Sequence, residues 1–342
     1  MEAVTPQHEI LLKSRVLKPW HAVDLQGMGA VNMGINTDEK IYPYSEISRF
    51  PLLHFKKYYP GCLKEAKSVL IKRLGGMGDV VWTLPIAAKI KQYNKDIKVG
   101  YLVDDRNMAL LENNPHIDEV HLYPLTVDKI MDYDFVFDAF ETIERYNPAE
   151  YEEAYDIHYK WAFNKLPDID VLGQIYLTED EKLRRKKAFG EDYILISLSS
   201  SNPKRTWFMW NALMGRILEE TDKDIIITGM LDLDLMSHKR VKNLNRQTSL
   251  RELYALVEGA GAVVCTDSGA MHIAGQFKRP CVALFTTVRA ETRAKYYPTV
   301  VSIDTPLSCG GCVKLGEGCP IEGECCSAIS PADVWNKLKG VI

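Results

Sequence analysis

The chain has 342 residues, of which 46% are hydrophobic and 26% are charged. This length suits two domains better than one, and the composition excludes a disordered or fibrous protein, so we expect two hydrophobic cores. The formal charge of -4, from 42 basic and 46 acidic residues, gives no global electrostatic reason to bind nucleic acid.

The N-terminal sequence has neither a basic nor an apolar leader segment, and no run approaches the ~18 apolar residues of a membrane span. We therefore expect a cytoplasmic protein without a transmembrane segment. Residues 1–67 show no sustained hydrophobic period, and the sequence assigns them no role.

A β-rich run begins at residue 68 and is followed by a glycine turn and a helical pattern from Thr83. Helical or loop segments separate it from three further apolar runs, at 99–103, 119–122 and 135–137. This alternation is typical of a parallel sheet with crossover helices. Residues 128–156 hold ten acidic and two basic residues and are predicted to be an exposed acidic segment.

A second series begins at 193–198, after a charged helical run at 179–187. It continues with helices and strands at 207–220, 224–228, 249–258, 262–265, from 268 onward and at 281–285. The sequence thus predicts an α/β protein with two Rossmann-like halves, 68–177 and 178–329, and a closing helix at 330–342.

In open α/β sheets, ligands bind beyond the carboxyl ends of the strands. The first such loop holds Gly75, Gly76, Gly78 and Asp79. The glycines let a ligand approach the backbone, and Asp79 can accept a proton from an attacking hydroxyl group. A role for Asp79 as a helix cap alone fits these residues equally well.

The second such loop holds Asp267, Ser268, Gly269 and His272 at the start of a helix. Asp267 or Ser268 can cap this helix, and Gly269 exposes N–H groups at its positive end, on the face that His272 shares. The loop therefore predicts a diphosphate site. The alternative is an ordinary capped helix with a core histidine.

Two adjacent cations, Lys204 and Arg205, follow the strand at 193–198. They are suited to neutralising a phosphate, although a solvated basic turn is the alternative. The basic residues of 182–187 face acidic neighbours at 179–181 and indicate a salt-bridged surface helix instead of a nucleic-acid site.

Five of the eight cysteines lie between residues 309 and 326. Four of them can hold a structural zinc ion as thiolates: Cys309, Cys312, Cys319 and Cys325. Disulfides and free thiols are the alternatives. We expect no catalytic metal, because no Asp-x-Asp pair or histidine cluster accompanies the two glycine-containing loops.

Three motifs, at 75–85, 114–120 and 248–274, together resemble the heptosyltransferases of glycosyltransferase family 9. The resemblance runs from about residue 68 to the C-terminus. It implies a GT-B fold, in which an N-terminal acceptor domain and a C-terminal nucleotide-sugar domain face each other across a cleft. It also implies inversion at the anomeric carbon without a metal or other cofactor.

The resemblance also implies roles for particular residues. Asp79 lies where the family has its general base, and the donor-binding positions correspond to Lys204, Arg205, Thr248, Asp267, Ser268, Gly269 and His272. Residues 286–289 replace the Gly-x-Thr turn that is usual in the family. The pocket for the donor's sugar is therefore expected to differ.

The sequence predicts transfer of a sugar, heptose-like or other, from a nucleotide-diphosphate donor to a hydroxyl group of a glycan or small-molecule acceptor. The acidic segment 128–156 favours an acceptor that is not strongly acidic. The alternatives are a GT-B nucleotide-sugar epimerase or hydrolase, and a degenerate nucleotide-binding module. Transfer to DNA is disfavoured, because the chain lacks an interleaved basic and aromatic groove.

Overall fold

The computed structural model describes residues 58–139, 152–198, 205–312 and 324–342, and two short strands that pair antiparallel, Val23–Asp24 (β1) and Gly29–Ala30 (β2). Most of residues 1–67 lies outside the described residues, as do Lys204 and Cys319. None of the described helices is long and apolar enough to cross a membrane.

The first sheet has four parallel strands in the order β5-β4-β3-β6. These strands are Ser68–Lys72 (β3), Lys98–Val103 (β4), Glu119–Leu122 (β5) and Phe135–Asp138 (β6). The α-helices of this half are Met77–Val81 (α1), Leu84–Tyr93 (α2) and Val127–Met131 (α3), and the 3₁₀ helices are Cys62–Lys64 and Asp105–Leu110. Every side chain of β3 is buried, which explains its continuous apolar run.

The second sheet has six parallel strands in the order β12-β11-β10-β7-β8-β9. They are Ile194–Ser197 (β7), Ile225–Thr228 (β8), Val241–Asn243 (β9), Ala262–Thr266 (β10), Cys281–Phe285 (β11) and Val300–Asp304 (β12). The later helices are Ala154–Phe163 (α4), Glu179–Phe189 (α5), Trp210–Glu220 (α6), Leu250–Gly259 (α7), Gly269–Gln276 (α8) and Pro331–Lys339 (α9), with 3₁₀ helices at Ala290–Thr292 and Glu324–Cys326.

Several helices begin where the sequence supplies a side-chain cap. Thr178 and Glu181 form a capping box at α5, and Ser249 forms another at α7. At α9, Ser330 accepts a hydrogen bond from the Asp333 N–H, and Pro331 occupies the first turn. The predicted α/β fold with two parallel sheets is confirmed.

The prediction that 128–156 is an exposed acidic segment is wrong at its C-terminal end. Glu153 and Asp156 are only 3% and 7% exposed. Glu153 caps α4, and Asp156 accepts hydrogen bonds from Lys295 and Tyr296, which are remote in sequence. Partners from the second half therefore make burial of the Asp156 carboxyl group tolerable.

Two large hydrophobic clusters are present among the described residues, but they do not correspond to the two halves. Buried side chains of both halves form one continuous cluster, which includes Val69 and Val81 from the first half and Val263 and Met271 from the second. A separate cluster covers the other face of the second sheet, where α9 packs against α6. The core thus follows the faces of the sheets instead of the two halves.

Candidate active site

Helices α1 and α8, which come from different halves, meet near their N-terminal ends. A Cβ atom on Gly78 would lie 2.6 Å from Cδ2 and Nε2 of His272. On the other helix, a Cβ atom on Gly269 would lie 2.6 Å from Sδ of Met77. The two glycine-containing loops that the sequence singled out are therefore in contact.

The first loop is held in one conformation by hydrogen bonds. Gly75 has a φ of 120°, which a glycine adopts without strain. Its N–H donates to Oδ2 of Asp104 at 2.8 Å, and its carbonyl oxygen accepts from Nδ2 of Asn107 at 2.8 Å. The Gly76 N–H is directed at Asp79, 2.6 Å from Oδ2. This network fixes the position from which Asp79 projects.

Asp79 caps α1 and is also partly exposed. Its Oδ1 lies 2.9 Å from Nη2 of Arg73, and its side chain is 30% exposed. Arg73 is fully buried and also donates to the Ala139 carbonyl oxygen at 3.1 Å. A carboxylate has about four lone-pair sites, so these two partners leave room for a substrate hydroxyl group. Capping and proton acceptance are therefore compatible at Asp79.

Asp267 lies almost fully buried at the end of β10, paired with a cation. Its Oδ2 is 3.1 Å from Nη1 of Arg205, whose Nε donates to Oγ1 of Thr287 at 3.2 Å. Burial raises the pKa of Asp267, and the positive charges of Arg205 and Arg293 act in the opposite direction. Two of the predicted donor-binding residues, Arg205 and Asp267, are thus brought together.

Ser268 is the N-cap residue of α8, but its side chain makes no capping hydrogen bond to the helix. Of the two residues that the sequence offers as caps, Asp267 and Ser268, the second does not cap the helix with its hydroxyl group. The N–H groups of the first turn, beginning at Gly269, are left without a side-chain cap from Ser268. Uncapped N–H groups at the positive end of a helix dipole are suited to binding an anion.

Arg293 lies close enough to Asp79, Asp267 and Arg205 to interact with them electrostatically, and we call these residues, with Arg73, the charged cluster. The sequence did not single out Arg293. Its guanidinium group lies 5.3 Å from the centroid of the Trp82 ring. Burial lowers the pKa of Arg293, and the nearby carboxyl groups of Asp267, Asp79 and Glu153 raise it. Among the residues that the structure describes, none forms an ion pair with Arg293. The only signal was that its loop begins with the unusual turn at 286–289.

Glu153 is the second residue that the sequence missed. Its Oε2 accepts a hydrogen bond from the Tyr155 N–H at 2.7 Å, and burial raises the pKa of its carboxyl group to about 8. Glu153 is therefore mostly protonated near neutral pH and adds little negative charge. Among the described residues, the charged groups brought together here are the carboxylates of Asp79 and Asp267 and the guanidinium groups of Arg73, Arg205 and Arg293.

His272 is buried, which agrees with the alternative that it is a core histidine. It nevertheless lies where the two halves are in contact. Its Nδ1 is 3.0 Å from the hydroxyl oxygen of Tyr297, and its ring packs edge-to-face against Trp82 at 4.9 Å between centroids. Burial, together with the positive charges of Arg293 and Arg205, lowers the pKa of His272 to about 3. The imidazole is therefore neutral at physiological pH.

The structure does not bring Thr248 into this cluster. Thr248 lines a cavity of about 440 Å³ between α5 and α7. The described residues that line this cavity include neither Asp79 nor Asp267. The turn at 247–249 thus borders a cavity that Asp79 and Asp267 do not line.

The cysteine cluster is described only in part. Cys309 and Cys312 are half-buried, and Cys325 and Cys326 are buried. Cys319 lies outside the described residues. Within the described ranges, no three metal-binding side chains come together. The zinc site therefore stays a prediction.

Comparisons with known proteins show the family and the fold of this chain. Residues 86–319 match the model of glycosyltransferase family 9 (heptosyltransferase). A stretch of 63 residues is 33% identical to lipopolysaccharide heptosyltransferase 1 of Campylobacter coli, and it covers 18% of this chain and 18% of that relative. The chain thus matches less than a fifth of this curated relative's length.

Two solved structures show the same fold at low sequence identity. E. coli ADP-heptose LPS heptosyltransferase II has a TM-score of 0.64 and 15% identity, over 80% of this chain and 98% of that chain. The iron-containing dodecameric glycosyltransferase TibC of enterotoxigenic E. coli has a TM-score of 0.61 and 13% identity, over 83% and 77% of the two chains. The family model spans more than half of the sequence. The chain therefore belongs to glycosyltransferase family 9 and has the GT-B fold.

Proposed function

We propose that the protein transfers a sugar, heptose-like or other, from a nucleoside-diphosphate donor to a hydroxyl group of a glycan or small-molecule acceptor. Arg293 carries this proposal. Arg293 is partly buried, and no described carboxylate forms an ion pair with it, although burying a cation is costly unless an anion compensates its charge. The diphosphate of the donor supplies the missing negative charge.

The diphosphate binds at the start of α8 in this proposal. The N–H groups from Gly269 onward and the guanidinium groups of Arg205 and Arg293 contact its oxygens, and Lys204 precedes Arg205 in the sequence. The half at 178–329 then holds the donor, and the half at 68–177 holds the acceptor. Charge that grows on the leaving diphosphate is stabilised by groups that are already in place.

Asp79 acts as the general base. It accepts the proton of the acceptor hydroxyl group while the hydroxyl oxygen bonds to the anomeric carbon and the bond from that carbon to the diphosphate oxygen breaks. This single displacement inverts the anomeric configuration. Arg73 and the Gly76 N–H keep the Asp79 carboxylate oriented for the reaction.

The guanidinium groups perform the charge stabilisation that a metal ion performs in other transferases, so we propose that catalysis needs no metal.

We propose no charge preference for the acceptor. Several carboxylates of the segment 128–156 are paired with lysines: Asp138 with Lys72 at 2.9 Å, Glu152 with Lys160 at 2.5 Å and Asp156 with Lys295 at 2.5 Å. These pairs weaken the repulsion of acidic acceptors that the sequence suggested.

The test is product analysis by mass spectrometry with a panel of nucleoside-diphosphate sugars, with and without acceptors, in the presence of a metal chelator. We expect release of nucleoside diphosphate that requires an acceptor and persists with the chelator, and donors that raise the melting temperature. Consumption of the donor alone would indicate an epimerase or hydrolase. Binding without consumption would indicate a degenerate module.

A further inference from the structure

A chain of buried hydrogen bonds ends at the active-site histidine. Nε2 of Gln276 lies 2.9 Å from the Tyr155 hydroxyl oxygen, which lies 3.1 Å from the Tyr297 hydroxyl oxygen. The Tyr297 hydroxyl oxygen in turn lies 3.0 Å from Nδ1 of His272. All four side chains are at most 3% exposed. These polar groups are therefore shielded from solvent and must find their hydrogen-bond partners within the protein.

The orientation of the Gln276 amide is fixed at both ends. Its Oε1 accepts from the Gln174 N–H at 2.8 Å, and this group can only donate. Its Nε2 donates to the Val171 carbonyl oxygen at 3.0 Å, and this oxygen can only accept. The second hydrogen on Nε2 then points to Tyr155. The Tyr155 hydroxyl oxygen is therefore an acceptor from Gln276.

The direction of the remaining bonds follows from counting protons. Tyr155 has one hydroxyl proton, and the acceptor within reach is the Tyr297 oxygen. Tyr297 then donates its own proton to Nδ1 of His272. In the reverse direction, the Tyr155 oxygen would accept from both Gln276 and Tyr297. Its proton would then have no acceptor among the described residues, which is unfavourable for a fully buried group.

Because Nδ1 of His272 accepts, a neutral imidazole carries its proton on Nε2. The Nε2 edge faces Gly78 on α1, one residue before Asp79. We propose that Tyr155 and Tyr297 are positioning residues that hold His272 as the Nε2–H tautomer and so present a hydrogen-bond donor to an oxygen of the sugar nucleotide. The identity of that ligand rests on the proposed function, but the tautomer does not. The lowered pKa of His272 agrees with a neutral ring.

The test is NMR of the full chain with ¹⁵N-labelled histidine, measured without substrate, because the protonated and bare ring nitrogens give well-separated signals. Comparison with a His272→Gln variant assigns the ring. We expect the Nε2–H tautomer in the wild type and a mixture of tautomers in Tyr297→Phe. The matched control is Tyr296→Phe. It removes a hydroxyl group that is hydrogen-bonded to Asp156 and takes no part in the hydrogen bonds from Gln276 to His272, so the tautomer should be unchanged.

An Nδ1–H tautomer in the wild type, or an Nε2–H tautomer that persists in a folded Tyr297→Phe, would overturn the proposal. The wild-type spectrum decides the first point even if the variant does not fold. With an active donor, Tyr297→Phe should lower kcat/KM about tenfold, as for the loss of one hydrogen bond, while Tyr296→Phe should not. If the protein shows the expected tautomer but turns over no sugar nucleotide, the proposed function is overturned. The proposal that Tyr155 and Tyr297 hold the His272 tautomer then still stands.

Discussion

Under the proposed function, Arg293 is a residue at which the stability of the protein and its affinity for the donor are linked. Its guanidinium group lies beside Trp82 and within electrostatic reach of Asp79 and Asp267. Burying a charge without a partner costs free energy, and active sites are the places where proteins retain such costs. The same charge should therefore lower the stability of the ligand-free protein and raise its affinity for an anion.

Replacing Arg293 with glutamine should change these two properties in opposite directions. We expect affinity for nucleoside diphosphates to fall by about 1.5–3 kcal/mol, because a charged hydrogen bond is lost. We also expect the ligand-free variant to be at least as stable as the wild type. Titration calorimetry and chemical denaturation measure the two quantities. Arg216→Gln is the matched control, since Arg216 is exposed on α6 and pairs only with Glu220 of the same helix among the described residues. Unchanged affinity in Arg293→Gln would contradict the anion site.

Glu153 should make the stability depend on pH. The pKa of its carboxyl group is about 8 in the folded chain and near 4.5 in the unfolded chain. Between these values the folded state binds the extra proton, so this group's contribution to stability falls as pH rises, by up to about 1.4 kcal/mol per pH unit. Glu153→Gln keeps an oxygen for the Tyr155 N–H and does not titrate. Its stability relative to the wild type should increase from pH 5 to pH 8 in denaturant titrations. A constant difference would show that Glu153 is not a titrating buried acid.

At the scale of elements, the continuous apolar runs of buried parallel strands could be predicted accurately. Strand β11 lies at the predicted residues, and β10 extends the predicted run by one. Strands β9 and β12 were missed, because they form the sheet edges and their side chains are mostly half-buried or exposed. Helix α4 was missed because the partners that stabilise its acidic first turn come from remote sequence.

The residues of the candidate site also divide into those that local sequence could predict and those that it could not. The glycine loops that hold Asp79 and Asp267 have local sequence patterns, because a strand, a turn and a helix N-terminus follow one another directly. Arg293 and Glu153 have no such pattern. Their surroundings exist only once β11 and α4 are packed beside α1 and α8, so local sequence does not reveal their role, apart from the unusual turn at 286–289 that precedes Arg293.

The contact between α1 and α8 leads to a prediction about Gly78. An alanine there would place its Cβ 2.6 Å from the buried His272 ring, and we expect Gly78→Ala to lower stability by about 1–3 kcal/mol through overpacking. Gly215→Ala in α6 is the matched control, since nothing lies within 4 Å of its Cβ position. That variant should gain up to about 1 kcal/mol from helix propensity. Thermal and denaturant unfolding compare the two variants, and a stabilised Gly78→Ala would contradict the tight contact.

At the scale of the whole molecule, the two halves share one buried cluster and several polar links. The Gln174 N–H bonds the Gln276 side chain, and Tyr155 bonds Tyr297. Arg251 on α7 donates to the Ala109 and Tyr176 carbonyl oxygens. Such contacts couple the free energies of folding of the two halves.

The shared core should make the described halves unfold together. We expect a single calorimetric transition with a van't Hoff enthalpy close to the measured enthalpy. A nucleoside diphosphate that binds should shift this transition upward as a whole. Two separated transitions, with only the later one shifted by ligand, would show that the halves are energetically independent despite their common cluster.

The proposed role of Asp79 as general base is tested most directly by comparing Asp79→Asn with the wild type in donor binding and in sugar transfer. Asparagine keeps an oxygen for the Gly76 N–H but cannot act as the base. We expect nucleoside-diphosphate affinity within a few-fold of the wild type, and transfer slower by roughly 10²–10⁴-fold, the usual contribution of a general base. Transfer at the wild-type rate in a folded Asp79→Asn protein would contradict the assignment of Asp79 as the base.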